Sequence, residues 1–364
     1  MEDTIRKLAS IQEVVGLERI EGRDRIELAH VLGWQVIVKK DEFKVGDKCI
    51  FIEPDSVLPE KPEFEFLRSK KFRIKTMKMG GVLSQGIVFP MNILPKDREY
   101  NIGDNVTEIL GITKYEPFDD EPTETQPTKK GKKYPQFLMK YSWFRKLVLP
   151  SKKQQRGFPT EYVSKTDEVR CQVVPDVLKY KEPVIVTEKV DGCSLTALLV
   201  KHKTWYRKTK YEFILCSRNL RLWQKDGSHY WEMATKYNLE EKLKNMIGDN
   251  DWVAIQGECY GASIQGNPYK MNNRELRIFN IVYPSGRLGS IEAKELCDKN
   301  ELLFVPIIDE NFTLPNTVNE MLDYATAKSV INKNVMREGV VIRTKDGKNS
   351  FKAVSPDYLI KHEQ

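Results

Sequence analysis

The sequence predicts an α+β protein in which a small β-barrel precedes a larger domain of strands and helices. Three observations predict it. The first 110 or so residues hold short β-branched runs at near-regular spacing, residues 116–136 hold almost no apolar residue, and beyond about Phe158 strands alternate with a few amphipathic helices. The expected division is therefore 1–112 for the barrel, 113–157 for a charged linker and basic segment, and 158–364 for the larger domain. At 364 residues and 42.3 kDa the chain can bury two or three cores.

The barrel strands are "IQEVVGL", "IELAHVL", "WQVIVKK", "KCIFIE" and "GIVFPM", separated by turn signals such as "EGRD", "KVGD" and "IEPD". Five such strands suit a small barrel, of which the OB-fold is a frequent case with a face for nucleic acid. The stretch "EPFDDEPTETQPTKKGKKYPQ" reads as a linker. In the larger domain, strands are expected at 183–188, 194–201, 211–216, 252–258, 276–283, 339–343 and 350–354. Helices are expected in "WEMATKYNLEEKLKNMI" and "TVNEMLDYATAKSVI".

Composition removes several classes of function. No apolar run approaches the roughly 20 residues of a membrane span, and "MEDTIRKLAS" lacks the apolar core of a secretion signal. An intracellular protein, cytoplasmic or nuclear, is expected, with no membrane partner and acting as a monomer. Six cysteines (Cys49, Cys171, Cys193, Cys216, Cys259, Cys297) lie singly, without a C-x-x-C pair or nearby histidine, and read as small buried residues.

The net charge of +7 is unevenly spread. From Thr128 to Gly157 ten Lys/Arg occur with no acid and with Tyr134, Phe137, Tyr141, Trp143 and Phe144 among them; "RSKKFRIKTMK" is a second basic run. Basic groups neutralise phosphates and aromatic rings stack bases, so both runs suit nucleic acid. A solvated loop and a strand with a charged outer face are the plainer readings.

The chemistry gathers at the edges of apolar strands, with Lys352 alone set inside one, between Phe351 and Ala353. "TEKVDGCSL" places Lys189 and Asp191 beside Gly192 directly after the apolar run Pro183 to Val186. "LCSRNL" carries Arg218, "WVAIQGECYG" Glu258, "LRIFNIVY" Phe279, "REGVVIRT" Glu338 and "SFKAVSPDYL" Lys352. Singly, each has an ordinary explanation as turn, surface pair, core or edge residue. Together they supply cations for a triphosphate, an aromatic face for adenine and carboxylates for a divalent metal, Mg²⁺ or Mn²⁺, which suits ATP. The glycine-rich Walker loop is missing, because "GGVLSQG" lacks the following Lys-Ser/Thr. A lysine ordinarily titrates near 10.4, so attack by Lys189 on phosphorus requires its charge to be disfavoured by burial or neighbouring cations.

The order Lys-x-Asp-Gly, Ser-Arg-Asn, Gly-Glu, Phe, Glu-Gly-Val-Val, Lys resembles the covalent nucleotidyltransferases, which include polynucleotide ligases and mRNA capping enzymes. Within them the chain is most similar to the fifth family of RNA ligases, which carry an OB module in front of the nucleotidyltransferase domain. The likeness extends to "GWQVIVKKDEFKVGDKCIFIEPDSVLPE", "FLRSKKFRIKTMKMGGVLSQGIVFP" and "KTDEVRCQ". It implies an OB-like barrel followed by an adenylylation domain of antiparallel sheets flanked by helices.

The resemblance also implies roles. Lys189 attacks the α-phosphorus of ATP, Lys352 neutralises that phosphate, and Arg218 holds ribose or phosphate. Glu188 meets the adenine edge, Phe279 stacks on adenine and Val190 lines the nucleotide site beside Asp191. Asp191, Glu258 and Glu338 serve ribose and metal. The substrate implied is RNA with 3′-OH and 5′-phosphate ends, foremost in a nicked duplex, with Arg73, Lys75, Lys78 and, on a short helix, Arg170 contacting it. An Asp167–Arg170 surface pair is the competing reading for Arg170.

Two positions depart from the family pattern: Ser194 stands where Asn or Arg is frequent, and Val354 where a second lysine is frequent, leaving Lys352 alone or with Lys345 or Lys348. A DNA ligase or capping enzyme would add an OB domain after the last motif, whereas few residues follow Lys352 in the 364-residue chain. A non-catalytic RNA-binding protein with a relic nucleotidyltransferase domain is the rival of another class.

Overall fold

The structure, a computed structural model, describes residues 6–115, 157–204, 207–222 and 227–362. The N-terminal strands are β1 (Ala9–Arg19), β2 (Ile26–Val31), β3 (Trp34–Lys39), β4 (Lys48–Ile52), β5 (Ser56–Val57), β6 (Met77–Met79), β7 (Val82–Ser84), β8 (Ile87–Pro90) and β9 (Thr113–Lys114), with α1 (Thr107–Leu110) before the last. All five expected barrel strands are present, hydrogen-bonded in the order β3-β2-β1-β4-β8.

One long strand serves two partners. Residues 9–13 of β1 pair with β4; past a bulge between Val14 and Gly16, β1 continues along β2. A bulge bends and twists a strand, which is what a five-stranded sheet needs to curl into a barrel. Closure is visible where Gln85 N donates to Gln35 O (2.9 Å) and Ile37 N to Ser84 Oγ (3.0 Å). Gly86 turns the chain here with φ 88°, and a Cβ on it would sit 2.6 Å from Ile52 O, so glycine is required. After the exposed Lys48, β4 is apolar because both its faces are covered: Ile50 and Ile52 pack with Ile11, Leu58 and Phe64, while Cys49 and Phe51 pack with Val14, Trp34 and Val36. This is the N-terminal OB-fold.

The rest of the chain adds β10 (Val184–Lys189), β11 (Cys193–Thr204), β12 (Arg207–Cys216), β13 (Arg221–Leu222), α2 (His229–Lys236), α3 (Leu239–Met246), β14 (Trp252–Gly261), β15 (Arg274–Tyr283), β16 (Gly286–Arg287), α4 (Ser290–Lys299), β17 (Ile307–Phe312), α5 (Val318–Ala325), β18 (Gly339–Thr344), β19 (Ser350–Val354) and α6 (Pro356–His362). The chain forms two compact units. The first comprises Met1–Pro117, Asp167–Val190 and Val305–Gln364; the second comprises Phe118–Thr166 and Asp191–Phe304.

In the first unit, besides the OB-fold, four antiparallel strands run in the order β17-β10-β18-β19. Helix α5 covers this sheet with Met321, Leu322 and Ala325 against Val184, Val186, Val340, Ile342 and Ala353. A capping box starts the helix: Thr317 Oγ1 accepts from Glu320 N, and the Glu320 carboxylate accepts from Thr317 N. The helix stops at Ala325, shorter than the pattern 317–331 suggested.

In the second unit, six antiparallel strands follow the order β13-β12-β11-β14-β15-β16. The helical stretch expected over 231–247 is two helices. Asn238 between them takes φ 48°, a left-handed conformation that asparagine tolerates and a continuous helix does not. The edge strand β17 and the short β13 and β16 have no counterpart among the expected strands. Among the described residues no helix is long and apolar enough to cross a membrane.

Candidate active site

Strand β10 lies inside its sheet, with Val184, Ile185 and Val186 buried, and its polar residues come at the end where the neighbours stop. Lys189 is opposite Gly339 in register, so Glu338 falls just beyond the first residue of β18, and Lys189 Nζ donates to Glu338 Oε2 at 2.5 Å. The strands close tightly: a Cβ on Gly339 would sit 2.2 Å from Ala353 O. That packing explains why glycine follows Glu338.

Lys352 lies on β19 between buried Phe351 and Ala353, with its side chain 13% exposed. Both its backbone groups are taken by the segment before β10, Lys352 N donating to Val169 O (2.8 Å) and Lys352 O accepting from Cys171 N (2.9 Å). Its Nζ donates to Asp167 Oδ1 at 3.0 Å, and Asp167 Oδ2 accepts from Lys114 Nζ at 3.2 Å. Burial pulls the Lys352 ammonium down to about 8; Asp167 opposes the shift, and the positive charges of Lys189, Arg170 and Arg6 add to it.

Glu188 is almost fully buried, its Oε1 accepting from Ser329 Oγ (2.6 Å) and its Oε2 from Val330 N (2.7 Å). The carboxylate expected at the adenine edge is thus turned into the protein, where it ties the end of β10 to the 329–331 loop. Val190 is buried beside it.

The second unit places the other expected residues. Asp191 N donates to the hydroxyl of Tyr269 (3.0 Å), a buried side chain packed edge-on against Tyr260. A Cβ on Gly192 would sit 2.1 Å from Cys259 O, so the glycine after Asp191 is the only residue that fits against β14. Glu258 is partly exposed on β14, opposite Ser194 on β11 and Arg277 on β15. Phe279 is the extra residue of a bulge, where pairing steps from Asn280 to Ile278; bulges re-aim a side chain, and this one is half-buried. Arg218 sits in the tight turn between β12 and β13 that Ser217 N closes on Leu220 O (2.9 Å).

Among the described residues no three His, Cys, Asp or Glu converge as a metal cage. Of the carboxylates expected to serve metal, Glu338 belongs to the first unit and Asp191 and Glu258 to the second. Single carboxylate oxygens suit Mg²⁺ or Mn²⁺, which take one or two carboxylates with water and substrate phosphates, and do not make a closed structural zinc site.

The residues expected to meet RNA separate by exposure. Lys78 is exposed and paired with Asp357 (2.8 Å), and Lys75 is half-buried. Arg73 is 13% exposed, donates to Asp55 Oδ1 (3.1 Å) and lies 3.5 Å above the Tyr115 ring. Arg170 corrects the sequence reading in two ways. It lies in a β-bridge to Lys352 rather than on a short helix, and its side chain is 6% exposed and donates to Asp55 Oδ2 (3.0 Å) rather than meeting Asp167 at the surface. The basic segment after Lys129, as far as residue 156, lies outside the described residues.

Lys345 donates to Asn311 (2.6 Å), and Lys348, 81% exposed, meets Asp346 in the β18–β19 turn. They are therefore a charged hairpin, while Val354 is 2% exposed and fills the core at the position where the family pattern has a second lysine. Sequence reasoning missed Asp167 as the partner of Lys352, Ser329 behind Glu188, Tyr269 behind Asp191, and Asp55 between two arginines. Of these, Asp167 inside "KTDEVRCQ" and Asp55 inside "IEPDSVLPE" lie in stretches that carry the resemblance, whereas Ser329 and Tyr269 carried no signal in the sequence.

A sequence model described as an OB-fold domain matches residues 8–91, and one described as RNA ligase matches residues 182–354. Among solved structures the chain is similar to Naegleria gruberi RNA ligase with PPi, at 33% identity over 99% of each chain and a TM-score of 0.79. It is also similar to a mutant of that ligase with ATP and Mn, at 32% identity over 99% of this chain and 100% of that one, TM-score 0.79. A further mutant with AMP and Mn shares 32% identity over 98% and 99%, with a TM-score of 0.79. No curated protein matches in sequence.

Proposed function

The chain belongs to the RNA ligases that carry an OB-fold in front of the nucleotidyltransferase domain, and on that premise we propose that it seals RNA breaks bearing 3′-OH and 5′-phosphate ends, nicks in duplexes foremost. It is an ATP-dependent enzyme that uses a divalent metal. The observation that carries the reading is the placement of Lys189, Glu338 and Lys352 at neighbouring strand positions of one sheet, two amines and a carboxylate where a phosphate can be attacked and neutralised.

The Lys189 amine, once deprotonated, attacks the α-phosphorus; the bond to the β-phosphate oxygen breaks, pyrophosphate leaves, and AMP stays on Lys189 through a phosphoamide bond. Lys352 offsets the charge that builds on the α-phosphate, the kind of electrostatic help that dominates phosphoryl transfer. Asp191, Glu258 and Glu338 would hold Mg²⁺ or Mn²⁺, whose charge offsets that of the phosphates. Phe279 stacks on adenine and Arg218 holds ribose or phosphate. Glu188 acts from behind, keeping the end of β10 in place, and Val190 lines the site. The AMP then passes to the RNA 5′-phosphate, and the 3′-hydroxyl displaces it.

We keep the division into 1–112, 113–157 and 158–364; the matched spans 8–91 and 182–354 fall within its first and last parts. We assign RNA contact to Lys78 and Lys75, with Arg73 and Arg170 bracing the surface that carries them. Buried thiols without disulfides support a reducing, intracellular setting. Sealing of nicked duplexes with ribose or deoxyribose on either side of the break, with Lys189→Ala as the blank, tests the substrate. Equal sealing of all-DNA nicks would contradict the RNA assignment.

A further inference from the structure

Cys193 opens β11, and Cys259 stands directly opposite it on β14, one step from the Ser194 and Glu258 pair. Directly opposite residues of antiparallel strands point to the same face, with Cα atoms about 4.5–5.5 Å apart and Cβ atoms about 4.5–5.5 Å apart. A disulfide takes Cα separations of about 4.4–6.8 Å and Cβ separations of about 3.5–4.5 Å. The backbone is therefore already in range, and closing the bond asks for a shift of about 1 Å. Contact is close at this end, as the fit of Gly192 against Cys259 O shows. Cys193 is partly exposed and Cys259 fully buried, and both are thiols.

We propose that Cys193 and Cys259 form a reversible disulfide site, closed by peroxide, that halts adenylate transfer by displacing the neighbouring Asp191 and Glu258. The chemistry balances with one hydroperoxide. The Cys193 thiolate attacks a peroxide oxygen, the O–O bond breaks, and the departing hydroxide takes up the proton that the thiol released and leaves as water, giving a sulfenic acid. The Cys259 sulfur then attacks the Cys193 sulfur, the S–O bond breaks, and the hydroxyl leaves as a second water with the Cys259 proton. Two thiols lose two electrons and the peroxide gains them; an added dithiol reverses the process.

The order of attack follows from exposure. Cys193 is partly exposed and Cys259 is fully buried, so peroxide reaches Cys193 first. Cys49, Cys171, Cys216 and Cys297 are buried and pushed up to about 12, which keeps them inert. The bond itself is independent of the ligase reading, whereas the loss of activity rests on it. A 1 Å displacement of reacting groups costs about 100-fold.

The full chain is treated with hydrogen peroxide or with dithiothreitol, digested without reduction and mapped by mass spectrometry, while label transfer from ATP to protein is measured in parallel. The expected result is a linked Cys193–Cys259 peptide and a loss of adenylylation of about 10- to 100-fold that dithiothreitol restores. Cys259→Ala should keep its activity in peroxide; where that variant does not fold, Cys193→Ser supplies the same test. Absence of the linked peptide overturns the proposal, as does equal inactivation of wild type and variant. A reduced wild type that takes up no adenylate contradicts the ligase reading instead, and the peptide map still decides the disulfide.

Discussion

Lys189 Nζ and Glu338 Oε2 are joined across 2.5 Å, the last residue of one strand to the residue just before the next. The contact ties the proposed nucleophile to a carboxylate of the neighbouring strand. On the proposed mechanism attack on phosphorus requires the pair to part, and a divalent metal bound with the nucleotide would give Glu338 another partner.

On the proposed mechanism Glu338→Ala should lower the rate of enzyme adenylylation by about 100-fold, because the carboxylate would hold the metal as well as the lysine. Single-turnover label transfer from ATP measures it. An undiminished rate would remove Glu338 from the chemistry.

Lys352 gives a pH signature. Its folded-state value near 8 lies below the ordinary 10.5, so the ammonium is complete below 8 and lost as pH rises through it. Adenylylation kcat/KM should fall along the same limb, and Lys352→Arg should remove the limb, since a guanidinium stays charged. Asp167→Asn should move the limb to lower pH, because Asp167 opposes the depression.

Asp55 is a stability site. Burial pushes its carboxyl up, but Arg170, Arg73 and Arg6 outweigh burial and hold it below the usual carboxylate range. Its contribution is thus present above the unfolded-state value and lost as pH falls through the depressed one. Asp55→Ala leaves Arg170 and Arg73 without their shared acceptor and should cost about 3 kcal/mol, read from urea unfolding.

Lys78→Glu should leave folding and adenylylation unchanged but raise the KM for nicked RNA several-fold and flatten its salt dependence by about one counterion. Steady-state sealing at several salt concentrations checks it.

The strands were legible because alternation and turn residues are local: the five barrel strands, the polar ends of β10 and β18, and Lys352 inside β19 are all written in short windows. What was hidden depends on distant parts of the chain. Arg170 read as a surface residue because its partner Asp55 lies 115 positions away, and the inward turn of Glu188 depends on Ser329, 141 positions on. The break at Asn238 was missed because the apolar spacing runs straight through it, while β17 hides among acids at a sheet edge.

Incubating the purified chain with ATP labelled at the α-phosphate and a divalent cation, then separating protein from nucleotide, asks directly whether Lys189 becomes the carrier of AMP. An acid-labile label on the wild type that peptide mapping places on Lys189, absent from Lys189→Ala, is the expected result. A wild-type protein that folds, binds ATP and carries no covalent label would contradict the mechanism.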